Sequence, residues 1–221
     1  MQGFRVIPIV VALSLAAGTV AFALPSDDQI PPEARDAGRA GLPEMLKAIP
    51  EKDLAFYGFA DPQEFSRVTL GEPFRLYTLD PQEIIDFAEG RAGSMEERPT
   101  NHWLFPVICA GRLRTVLTVA YLDGIWQAIE IGGPNPAPEM HELALQWPAA
   151  QGYRLRYIQV FAGGAQFVQI ANGESSDLVP LESTARALGL IAKDEIYDYP
   201  LVAPDDIATA LEPIVRAARS E

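Results

Sequence analysis

The run from His102 to Ile131, HWLFPVICAGRLRTVLTVAYLDGIWQAIEI, decides the fold. Its β-branched and aromatic residues fall into three strand-like stretches, His102 to Ala110, Leu113 to Tyr121 and Ile125 to Ile131. The connection Leu122-Asp123-Gly124 admits two registers. A two-residue Asp-Gly loop pairs Tyr121 with Trp126 and mixes apolar and polar side chains on both faces. A three-residue loop with Gly124 left-handed pairs Tyr121 with Ile125 instead. One face then collects Leu113, Leu117, Val119, Tyr121, Ile125, Ile129 and Ile131. The other collects Arg112, Arg114, Thr118, Trp126, Ala128 and Glu130. The second register separates the faces better and is the one expected.

Upstream, Phe74 to Leu79 reads as a strand, and Ile84, Ile85 and Ala88 form the apolar face of a following helix. Residues 91–100 read as a charged loop. Asp61-Pro62-Gln63-Glu64 and Asp80-Pro81-Gln82-Glu83 are both helix starts, with Asp as cap and Pro in the first helical position. Further upstream, Ala34, Ala37, Gly41, Met45 and Ile49 follow a helical spacing that Pro43 should break or kink and Pro50 should end.

Downstream, the Gly132-Gly133-Pro134 stretch is a stiff loop, and Met140, Leu143, Ala144 and Trp147 form one buried helical stripe. A second hairpin runs from Tyr153 to Phe161 and from Ala165 to Ala171, turned by Gly163-Gly164. Its faces separate in neither register, which implies cover on both sides. Glu182 to Leu188 is a short helix, and Asp205 to Arg219 a last one bent at Pro213. The expected class is α+β, with a mainly antiparallel sheet built on hairpins 102–131 and 153–171 and helices packed on one face or end. Residues 61–221 form a single domain, preceded over 24–60 by a linker and helical segment.

The N-terminus predicts export. Arg5 supplies a positive start, Val6 to Phe22 is largely apolar, and Ala21-Phe22-Ala23 is a small-x-small cleavage signature. Residues 1–23 are therefore expected to be a signal peptide, with the mature chain starting at Leu24 in the periplasm or outside the cell. An uncleaved anchor is the alternative, because a run of about 18 apolar residues is long enough to span a bilayer. No cysteine follows the run, so a lipoprotein anchor is excluded. The one cysteine, Cys109, sits where a small buried hydrophobe belongs.

A net charge of −13 argues against nucleic acid, which needs a clustered positive field. The only histidines, His102 and His141, leave little material for a nucleophile–base pair or a zinc site. His141-Glu142 opens like a zinc-protease helix, but Leu145 stands where a second histidine is required. No phosphate-binding glycine loop is present. Glu130, inside a strand, is expected to pair with Arg114 diagonally across the hairpin. One constellation suggests binding: Arg112, Arg114 and Trp126, with Thr118, on the more polar hairpin face. A guanidinium beside an indole suits a carboxylate or a partner's surface. A solvated sheet face, or a helix covering Trp126, is the structural alternative. The expectation is an exported acidic, non-enzymatic domain that binds a protein or small-molecule ligand, without cofactor, metal or membrane contact after leader removal. The rivals are a cofactor-free hydrolase using paired carboxylates and an accessory subunit of an envelope complex.

Overall fold

A computed structural model describes residues 29–132, 136–173, 175–192 and 196–219. The expected leader and residues 133–135 of the proline-rich loop lie outside the described residues. Eight strands form one sheet: β1 (Val68–Leu70), β2 (Phe74–Leu79), β3 (Glu97–Cys109), β4 (Arg112–Leu122), β5 (Ile125–Ile131), β6 (Arg154–Val160), β7 (Ala165–Asn172) and β8 (Ser175–Pro180). The order is β5-β4-β3-β2-β6-β7-β8, with β1 pairing the far end of β3. Every pairing is antiparallel except β2 with β6, where the two halves of the sheet join. The helices are α1 (Pro32–Lys47), α2 (Pro81–Ala88), α3 (Ala137–Gln146), α4 (Glu182–Ala187) and α5 (Pro204–Ala218). The class is α+β with a mostly antiparallel sheet. Strands β1 and β8 are additions to the sequence reading.

The expected register of the β4–β5 hairpin is wrong. Tyr121 pairs with Trp126 and Leu122 with Ile125, across a two-residue turn. Asp123 (φ 51°) and Gly124 (φ 86°) both take left-handed backbone, the geometry that the right-handed strand twist favours. A bulge then repairs the alternation. Val119 pairs with Ala128 but Thr118 with Glu130, so Ile129 is an extra residue and Ile131 returns to the face of Trp126 and Ala128. Tyr121, Ile125 and Ile129, assigned above to an apolar face, stay exposed.

Both faces of the sheet are covered, where helices on one face or end were expected and double cover only for the 153–171 hairpin. Trp103, Phe105, Leu117 and Val119 pack with Ala34 and Leu46 of α1. Their strand neighbours Leu104 and Val116 point the opposite way and pack with Met140 and Leu143 of α3. Double burial makes β3 and β4 read as near-continuous apolar runs, which is why face counting failed there. Beyond β2, the helices α2 and α5 pack on each other and on the sheet through Ile84, Ile85, Ile207 and Leu211, with Tyr77 and Ile158 beneath them. The 153–171 hairpin is covered on both sides as expected, Leu155 and Tyr157 facing one core and Ile158 and Val160 another.

Helix α1 runs unbroken through Pro43. Burial of Leu42 and Leu46 on either side of the proline offsets the lost backbone bond. The boundary at residue 60 marks no break in packing, because α1 shares its core with the sheet. Asp61 and Asp80 do cap as expected, accepting from Gln63 N (2.7 Å) and Gln82 N (2.8 Å).

Candidate functional site

A pocket of about 300 Å³ opens between the α2–β3 connection and strands β7 and β8. Leu79, Phe87, Met95, Leu178 and Pro204 make its walls apolar. Glu97 and Gln169 are the fixed polar groups among its lining, with Ser94 and Ser176 at hand. The backbone accounts for their placement. Glu97 is the first residue of β3, held opposite Leu79. Gln169 lies in β7, opposite Leu178 of β8. Both therefore share the sheet face that Leu79 and Leu178 present to α2 and α5.

Their side chains meet: Gln169 Nε2 donates to Glu97 Oε1 at 2.5 Å. Gln169 is only 5% exposed, and its Oε1 is enclosed with no partner among the described residues. Leaving such an oxygen unpaired costs about 1–3 kcal/mol. The strand sequence Phe167-Val168-Gln169-Ile170 carries the signal, one amide in an apolar run. Glu97 was hidden by its place in a stretch that reads as a charged loop.

Arg112, Arg114 and Trp126 do not form one cluster. Arg112 is exposed opposite Cys109, at the start of β4. Trp126 pairs with Tyr121 at the other end, roughly 25–30 Å away at about 3.3 Å per residue. Trp126 is half-buried, packs against the α1 core and lies 5.2 Å from the Tyr121 ring. Arg114 sits at a bulge and turns inward, where Nη1 donates to Gly58 O (2.6 Å) and Nη2 to Glu64 (2.8 Å). Glu64 is thus a carboxylate partner of Arg114, where Glu130 was expected. Glu130 instead raises the pKa of His102, against a larger lowering by burial.

Two other clusters are tied up in packing. On α3, Glu139 accepts from Glu182 N (2.7 Å) and Glu142 from the Tyr199 hydroxyl (2.7 Å). Burial pushes the Glu139 carboxyl above its ordinary 4.5, partly opposed by the Glu182 amide. An open cleft at Arg91, Arg216 and Arg219 has its guanidiniums engaged by Asp86, Glu89, Glu212 and Gln82. Cys109 is buried, its thiol 3.6 Å from Glu64 O. Among the described residues no group of three acidic, histidine or cysteine side chains is placed to hold a metal. No described helix is long and apolar enough to cross a membrane. No family model, curated protein or solved structure matches the chain at a significant level.

Proposed function

We propose that the chain is an exported, acidic, non-enzymatic binding domain that takes a small ligand into the Glu97–Gln169 pocket. The observation that carries this is the Glu97 carboxylate, held by the Gln169 amide in the lining of a mostly apolar pocket. Few polar groups placed in a mostly apolar cavity are the usual make-up of small-ligand sites, and about 300 Å³ is at their lower size limit. Export rests on the small-x-small motif at Ala21 and Ala23.

The test uses the mature chain from Leu24 and a neutral probe, 2-phenylethanol, followed by amide NMR. Saturable shifts at Met95, Glu97, Gln169 and Leu178 are expected. Ser176 lines the pocket but is itself exposed, so Ser176→Trp should block the mouth and remove those shifts without unfolding the protein. Shifts elsewhere, or shifts unchanged by Ser176→Trp, overturn the reading.

A further inference from the structure

The pocket's polar end is one-sided. Among the described residues Glu97 is the only charged one in its lining, and its carboxylate is the fixed acceptor there. Gln169 Nε2 uses one hydrogen on Glu97 and holds that carboxylate in place. Ser94 and Ser176 serve as donor or acceptor and impose no preference. Arg156, opposite Gln169 on β6, is directed over the Tyr77 ring at 5.1 Å and is not among the residues lining the pocket. Leu79, Phe87, Met95 and Leu178 line the same pocket, a surface for a hydrocarbon or aromatic body.

Resting on the binding reading above, we propose that the ligand is an organic ammonium: an apolar body whose protonated amine donates to Glu97. An ammonium brings donors only, so it leaves no lone pair facing the carboxylate. Its bond to Glu97 is charge-assisted and roughly twice as strong as a neutral one. An alcohol fills the same space with one donor. A carboxylate brings acceptors and like charge to the same end.

The test compares 2-phenylethylamine, 2-phenylethanol and phenylacetate on wild type and on Glu97→Gln, by calorimetry and amide NMR. The amine should bind at least tenfold tighter than the alcohol, with phenylacetate weakest. In Glu97→Gln the ratio of amine to alcohol affinity should fall towards one, since the isostere keeps the shape and removes the charge. Equal amine and alcohol affinities in wild type, or phenylacetate binding tightest, overturn the ammonium class and leave the pocket standing. A preference that survives Glu97→Gln also overturns it. Failure of all three probes overturns the pocket itself. The wild-type comparison holds whether or not the variant folds.

Discussion

Arg114 and Glu64 are 50 residues apart in the chain and meet in a site where their side chains are 19% and 10% exposed. Each makes a second bond, Arg114 to Gly58 O and Glu64 to Ala60 N, so the pair clamps residues 58–64 onto β4. Removing one partner strands the other charge. Arg114→Met is expected to cost about 3–5 kcal/mol in denaturant unfolding, whereas Glu64→Leu with Arg114→Met should return to within about 1 kcal/mol of wild type. Glu139 supplies a pH signature. A carboxyl whose folded pKa is raised favours folding while protonated, so its contribution is full below the ordinary 4.5 and is lost as pH rises through the higher folded value. Glu139→Gln keeps an acceptor for Glu182 N and removes the buried charge. It should raise the unfolding midpoint at pH 7, with the gain shrinking towards zero below pH 4.5.

At the scale of elements, the seating of α1 turns on one glycine. A Cβ added at Gly41 would lie well inside van der Waals contact with the Ala128 methyl of β5. Gly38, three residues earlier, lies against the Phe105 ring, where an added Cβ would be tight at 3.3 Å but short of a collision. In an open helix, Gly→Ala gains up to about 1 kcal/mol. Here the collision reverses the sign, and Gly41→Ala is expected to cost about 1–3 kcal/mol. In an Ala128→Gly background the same substitution should be neutral or stabilising by up to about 1 kcal/mol. Equal effects in the two backgrounds, measured by thermal or urea unfolding, would refute the contact. The hairpin beneath α1 carries the same lesson: Asp123-Gly124 announces the tight turn, but the bulge at Ile129 settles which residues reach α1.

Across the whole molecule, three apolar clusters are tied together by shared strands. Phe74 and Leu76 of β2 enter the α3 cluster, while Tyr77 and Leu79 enter the α2–α5 cluster. Likewise β3 sends Leu104 to the first and Trp103 to the α1 cluster. No cluster can lose its strands alone, so unfolding should be one cooperative transition that includes α1. Trp103 lies in the α1 cluster and Trp147 against the α3 cluster, which makes them separate reporters. Trp126 also packs against the α1 cluster, so urea curves from Trp103→Phe/Trp126→Phe, which keeps the α3 reporter, from Trp147→Phe, which keeps the α1 reporters, and from far-UV circular dichroism are expected to share one slope once each variant's midpoint is allowed for. An early fluorescence phase reporting α1 alone would show that residues 32–47 form a separable unit.

The sequence by itself determined the local features: strands at 102–131 and 153–171, aspartate caps at 61 and 80, the buried stripe of α3 and the α+β class. Each depends on propensity and periodicity within a few residues, which a chain carries wherever it folds. Tertiary structure alone decided the register beyond the β4–β5 turn, because a bulge costs little locally and is selected by what packs against it. It also decided that helices cover both faces, that Arg114 turns inward to Glu64, and that Glu97 of β3 meets Gln169 of β7. The last contact joins residues 72 positions apart, across a sheet whose halves join only at the parallel β2–β6 pair. No pattern along the chain encodes a meeting of that kind; burial of distant apolar surfaces brings the two side chains together.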